Sequence, residues 1–207
     1  LPARGGRFYD WENNGMPEAA ARLLHEGKMQ LFCADSIDAE SLLAGHETPR
    51  RRAEMQEKYF VYLTAELAPR IAALNAPEAK KPPLIWCAGV DTGAYQAVQC
   101  RLRRPGVFAG AVGLSGLYDM SRFLGGCEDD LVLRSSPLAA LRKNGICNKN
   151  LLAKAEENAL LLCVGQGGYE GDALADTQAL ADTLKETGLP CHLEVWGGDV
   201  SHDWYWW

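Results

Sequence analysis

Five short apolar runs, separated by segments of helical period, constrain the fold of this 207-residue chain more than any other feature. Short runs of this kind, bounded by Gly and Pro, are typical of strands buried on both faces in a parallel sheet. We therefore predict five strands of a mostly parallel sheet. They cover Met29 to Ala34, Leu84 to Ala88, Phe108 to Leu114, Ala159 to Val164, and Cys191 to Trp196.

The intervening segments repeat apolar residues every three or four positions, which predicts amphipathic helices. Alternation of strands and helices with short loops indicates an α/β fold whose sheet is flanked by helices. One domain over residues 1–207 suits the length. The pattern of residues 119–150 is less regular, and this stretch is interpreted as either a lid or an insertion. The predicted helices cover Phe60 to Leu74, Ala94 to Leu102, Ala173 to Leu184 with Gly188 as its cap, and Met16 to Glu26.

Charge and cysteine content limit the partners. The net charge is −6 with no long block of one sign, so we expect neither nucleic acid nor a membrane as a partner. The seven cysteines include no CxxC pair, and buried thiols of a reducing cytoplasm are expected. The opening residues, Leu1 to Arg4, show no signal peptide, which agrees with a cytoplasmic protein. We expect a small-molecule substrate or ligand, no metal and no cofactor; homo-oligomer formation stays open.

The turn after the second apolar run carries the clearest chemical signal. Catalytic groups of parallel sheets lie at the carboxyl ends of the strands. The spacing Gly89-Val90-Asp91-Thr92-Gly93 matches the nucleophile elbow, G-x-S-x-G, except that Asp stands in place of Ser. In such a turn the central side chain is exposed at the start of a helix. The backbone N–H of Thr92 is then placed to stabilise a developing oxyanion.

Several stretches spread along the chain match one known family. They are Gly5 to Asp10, Gln30 to Asp38, Gly93 to Tyr95, Leu114 to Asp119, and Trp196 to Trp204 with its His202-Asp203 pair. In these stretches the sequence resembles bacterial esterase-like α/β-hydrolases. The resemblance implies that strands precede Leu1, that a helix continues past Trp207, and that Ser, acid and His form a triad in that chain order.

The resemblance also implies roles for individual residues. The triad base falls on His202 and the nucleophile position falls on Asp91. The acid falls near Glu170 and Asp172, and Asp119 is a further alternative. A second oxyanion donor is expected between Ala3 and Gly5, that is, around Arg4.

Asp91 leaves three functions open. The first is an esterase-like hydrolase acting on a small ester, although a carboxylate gains nothing from a base that would activate a Ser hydroxyl. The second is a non-catalytic pseudo-hydrolase that binds a small molecule or a protein. The third is a hydrolase of the dehalogenase or epoxide-hydrolase type, in which Asp91 itself attacks an sp³ carbon. Ser115 lacks the elbow spacing, so we interpret it as structural.

Overall fold

The computed structural model describes residues 1–75, 83–125, 129–143 and 159–207. Within them lies a four-stranded sheet of order β1-β2-β3-β4 in which every neighbouring pair is parallel. These strands confirm four of the five predicted runs. They are β1 (Trp86–Val90), β2 (Gly110–Leu114), β3 (Leu160–Val164) and β4 (His192–Val195).

The predicted strand from Met29 to Ala34 is wrong. These residues are irregular, and the side chains of Leu31 and Phe32 are exposed rather than buried. A strand needs a hydrogen-bonded neighbour, and in the described part of the chain residues 29–34 have none. Leu1 lies beside β1 instead: its amino group donates to the carbonyl oxygen of Ala88 at 2.6 Å.

The helices lie where the apolar periodicity predicts them. The helix predicted to begin at Phe60 begins earlier, at Pro49. The hydroxyl of Thr48 caps this helix, α4, by accepting from the N–H of Arg51. The predicted helix over 16–26 is divided at Ala20. Within the described residues the helices are α1 (Asp10–Asn13), α2 (Met16–Ala19), α3 (Ala21–His25), α4 (Pro49–Val61), α5 (Ala68–Asn75), α6 (Thr92–Arg103), α7 (Ser121–Leu124), α8 (Asp130–Ser135), α9 (Pro137–Arg142) and α10 (Gly171–Glu186). A 3-10 turn covers Asp38–Glu40, and a π-helical segment, Tyr62–Leu67, joins α4 to α5.

The core lies between the sheet and the helices. Helix α6 packs against β1 and β2, and its first eleven residues are buried. The side chains of Val90, Leu162 and Leu184 are almost completely inaccessible to solvent. This packing fixes the carboxyl ends of the strands relative to one another, and the polar side chains that follow them therefore have fixed positions.

In the described part of the irregular stretch predicted over 119–150 lie three short helices, α7, α8 and α9. Residues 126–128 and 144–150 of it lie outside the described residues, so the question of a lid stays open. No helix in the described part of the chain combines the length and the apolar character needed to cross a membrane.

Candidate active site

The turn between β1 and α6, which the sequence predicts as a nucleophile elbow, is tight. Asp91 is its central residue and has φ 53° and ψ −118°, a strained conformation for a side chain other than Gly. A Cβ at Gly89 would overlap the carbonyl group of Gly93, and a Cβ at Gly93 would overlap the backbone of Pro2. The two glycines therefore allow the sharp turn, and the carboxylate of Asp91 stands at the start of α6.

The loop at residues 3–6 supplies donors to this carboxylate. The backbone N–H of Arg4 donates to Oδ2 of Asp91 at 3.0 Å. The guanidinium of Arg4 also reaches both oxygens, with Nε 3.4 Å from Oδ2 and Nη2 3.4 Å from Oδ1. Only 5% of the Asp91 side chain is exposed, whereas 44% of the Arg4 side chain is exposed. Both carboxylate oxygens are thus engaged by protein groups.

His202 lies between two carboxylates. Its Nε2 is 3.6 Å from Oδ1 of Asp91, an ion-pair contact longer than a hydrogen bond, and its Nδ1 is 3.2 Å from Oε2 of Glu170. The backbone N–H of His202 donates to the carbonyl oxygen of Gly168, which fixes the loop after β4 against the loop after β3. The imidazole of His202 therefore contacts Asp91 with one nitrogen and Glu170 with the other.

Glu170 is itself held from its other side. The hydroxyl of Ser115 donates to Oε1 of Glu170 at 2.6 Å, and the indole N–H of Trp207 donates to the Ser115 oxygen at 3.0 Å. The rings of Trp207 and His202 are nearly perpendicular, with their centroids 4.8 Å apart. Ser115 has φ 47°, another strained position at the end of a strand. Sequence reasoning did not find this role, because only the folded chain brings Ser115 to Glu170.

The two alternative acids lie elsewhere. Asp172 pairs with Arg122 at 3.1 Å, and 74% of its side chain is exposed. The carboxylate of Asp119 accepts from the N–H of Ser121. Glu170 is therefore the acid that the structure places against His202. The hydroxyl of Thr92, the other predicted oxyanion residue, donates to Oδ2 of Asp38 at 2.8 Å.

The charges of the site compensate one another. Burial raises the pKa of Asp91, but the contact with His202 and the charge of Arg4 outweigh it, so that this pKa lies below its ordinary value. Burial lowers the pKa of His202, but its contacts with Asp91 and Glu170 outweigh that and raise the pKa to about 9. At neutral pH the pair is therefore an imidazolium beside a carboxylate. An imidazolium has no free lone pair and cannot accept a proton.

In the described ranges 1–75, 83–125, 129–143 and 159–207, no group of three or more His, Cys, Asp or Glu side chains is arranged to hold a metal ion.

Comparison with known proteins identifies the fold. No protein-family model and no curated protein matches the chain. The whole chain superimposes on solved structures at low identity. They include a ferulic acid esterase (16% identity, 78% of its length, TM-score 0.65) and MPT51 of Mycobacterium tuberculosis (17%, 82%, 0.66). Another is an S-formylglutathione hydrolase of Staphylococcus aureus (19%, 74%, 0.61).

The protein therefore has the α/β-hydrolase fold, as the sequence resemblance predicted. The parallel sheet and the helices that pack against it are the features that this chain shares with the fold. The likenesses establish the fold and leave the activity to be argued from the site itself.

Proposed function

We propose that this protein is a pseudo-hydrolase, a hydrolase-fold protein that binds a small molecule at this site and does not turn over esters. One observation carries the proposal: the N–H of Arg4 donates to Oδ2 of Asp91. In serine hydrolases such a backbone donor holds the oxygen of the substrate carbonyl as negative charge develops on it. Here a carboxylate oxygen of the protein already occupies the donor.

The state of His202 supports the same conclusion. A triad histidine must take a proton from the nucleophile in the first step of acyl transfer. Asp91 has no proton to give, and the imidazolium of His202 has no lone pair to receive one. Attack of a carboxylate on an ester carbonyl would form an anhydride, a less favourable intermediate than the ester that Ser forms.

A second candidate is a hydrolase that uses Asp91 as its nucleophile, and the unequal environment of the two carboxylate oxygens favours it. Oδ2 accepts the Arg4 N–H, whereas Oδ1 faces His202. In this mechanism Oδ1 attacks an sp³ carbon, the bond from carbon to the leaving group breaks, and the leaving group departs with the electron pair. The product is an alkyl ester of Asp91.

Ester formation would then change the state of His202. The ester is neutral, so the imidazolium loses one of the two charges that raise its pKa and can release its proton. Neutral His202 would take a proton from water as the water attacks the ester carbonyl. The oxyanion would form at Oδ2, beside the Arg4 N–H. Its collapse would break the bond between Cγ and the alkyl oxygen, and the imidazolium would protonate that oxygen to give the alcohol. The new carboxyl group of Asp91 would then return a proton to His202, which restores the starting pair.

The experiment compares hydrolysis of p-nitrophenyl acetate by the native protein, by Asp91→Ser and by Asp91→Ser combined with His202→Ala. We expect no turnover by the native protein, measurable turnover by Asp91→Ser and its loss in the double variant, because triad members act as a unit. Native turnover that persists in Asp91→Ala and disappears in His202→Ala would overturn the proposal.

The second candidate is tested in parallel with short alkyl bromides in H₂¹⁸O. An Asp nucleophile would release bromide and incorporate ¹⁸O into Asp91 over many turnovers, which mass spectrometry of the peptide detects. For a pseudo-hydrolase we expect no bromide release and no label. Label at Asp91 that is lost in His202→Ala would establish the second candidate instead.

A further inference from the structure

A second buried carboxylate, Asp38, lies close to the elbow and takes no part in the chemistry described above. Asp38 is 4% exposed. Its Oδ2 accepts from the hydroxyl of Thr92 at 2.8 Å and from the backbone N–H of Gly5 at 3.3 Å. Thr92 is the first residue of α6, and Gly5 directly follows Arg4. One carboxylate oxygen therefore connects the elbow to the loop that carries the Arg4 donor.

The backbone of Asp38 is held as well as its side chain. Its N–H donates to the hydroxyl of Ser36 at 3.0 Å. Its carbonyl oxygen accepts from the N–H groups of Ser41, at 3.1 Å, and Leu43, at 2.8 Å. Because these bonds fix the main chain of Asp38, the carboxylate is a rigid point of attachment for the groups that donate to it.

The position of Asp38 is electrostatically costly. Burial raises the pKa of its carboxyl group and the charge of Asp91 raises it further, while the hydrogen bonds from Thr92, Gly5 and Ser36 lower it. Two carboxylates close together repel each other, which a purely packing role would not require. The loop at residues 3–6 lies against both carboxylates, and its consecutive N–H groups at Arg4 and Gly5 donate to one each.

We propose that Asp38 is a positioning residue, which directs the N–H of Arg4 at residue 91 by holding the next N–H of the same loop. The two N–H groups flank a single residue, so fixing the Gly5 donor restricts rotation about the backbone of Arg4. The hydrogen bond from the Thr92 hydroxyl fixes the carboxylate of Asp38 relative to the neighbouring Asp91. This inference deepens the proposed function, since it explains what aims the donor that the Asp91 carboxylate occupies.

The neighbouring carboxylate, Asp35, provides a matched control. It holds the two residues that directly follow the loop at residues 3–6: its Oδ1 lies 2.9 Å from Nε of Arg7 and accepts from the backbone N–H of Phe8 at 3.1 Å. In the described part of the chain, the Asp35 carboxylate makes no hydrogen bond with Arg4 or Gly5. Its loss therefore perturbs the loop without releasing the donor at Arg4.

The test is NMR of the Arg4 and Gly5 amides in full-length Asp38→Ala, Thr92→Val and Asp35→Ala proteins. In Asp38→Ala we expect both amides to exchange at least about tenfold faster, since a lost hydrogen bond exposes the N–H to solvent. The Arg4 amide proton should also move upfield as its bond to a carboxylate weakens. Asp35→Ala should accelerate the Phe8 amide and leave the Arg4 amide unchanged.

Two further variants keep the proposal testable if Asp38→Ala does not fold. Thr92→Val removes one attachment and retains side-chain volume, so its Arg4 amide should exchange at an intermediate rate. Asp38→Asn keeps an acceptor oxygen and should restore most of the protection. The proposal would be overturned if the Arg4 amide exchanged as slowly in Asp38→Ala or in Thr92→Val as it does in the native protein. These measurements do not involve ester turnover, so the positioning role and the proposed function can fail independently.

Discussion

Nε2 of His202 lies 3.6 Å from Oδ1 of Asp91, the residue that replaces the serine of the G-x-S-x-G spacing in this sequence. A neutral hydroxyl in that position leaves the histidine free to act as a base. A carboxylate there stabilises the imidazolium instead, and Glu170 stabilises it from the other side. One residue at the elbow thus changes the charge state of a residue more than a hundred positions away in the sequence.

The first prediction concerns the stability of the protein against pH. The pKa of His202 is raised from 6.5 to about 9 in the folded protein. The stabilisation by the imidazolium is fully present below about pH 6.5 and is lost as the pH rises through about 9. Over this interval the free energy of unfolding should decrease by up to about 3 kcal/mol. Chemical denaturation at several pH values measures it.

The control for this prediction is His202→Gln, which has no titrating group at this position. We expect the unfolding free energy of this variant to change less between pH 6.5 and 9. Its slope against pH should differ from that of the native protein by the equivalent of about one bound proton. If the native protein and the variant lose stability in parallel over this interval, another group is responsible.

The second prediction concerns the elbow. Gly89→Ala should destabilise the fold by about 3 kcal/mol or more, because the new Cβ would overlap backbone atoms of Gly93, which cannot rotate away. Gly106→Ala is the matched control, since a Cβ at that exposed position meets no atom within 4 Å. Thermal or chemical unfolding of the two variants should differ clearly, and equal stabilities would show that the turn is not as tight as described.

The third prediction separates two properties of Ser115. Ser115→Ala leaves Oε1 of buried Glu170 without its donor, which should cost about 1–3 kcal/mol. Ser115→Gly loses the same hydroxyl but relieves the backbone strain at φ 47°, so it should be about 1 kcal/mol less destabilised. Urea denaturation measures both, beside the exposed Ser121→Ala. A glycine variant less stable than the alanine variant would contradict the strain argument.

The sequence was informative wherever one local pattern determines the outcome. The apolar runs predict β1 to β4, and the spacing of Gly89 and Gly93 predicts the turn that presents Asp91. In these cases burial and backbone sterics act within a few neighbouring residues. The resemblance to a family placed His202, and it left the acid open between Glu170, Asp172 and Asp119, because these residues differ only in where the loops carry them.

The remaining features depend on contacts between distant segments. The run from Met29 to Ala34 has the composition of a strand, but a strand forms only where another strand is available to pair with it. The roles of Asp38 and Ser115 likewise follow from partners more than fifty residues away in the sequence, Thr92 and Glu170. A signal for Asp38 was present, since it lies in one of the stretches that carry the family resemblance, but its partner could not be read from it.

The coupling between Asp91 and His202 is the central claim, and an NMR titration of the His202 imidazole tests it most directly. In the native protein the ring should titrate near pH 9. In Asp91→Asn, which keeps the shape and removes the charge, the midpoint should be at least about one pH unit lower. Asp172→Asn, which removes an exposed carboxylate paired with Arg122, should leave it unchanged. A native midpoint near 6.5, or the same midpoint in Asp91→Asn, would contradict the account.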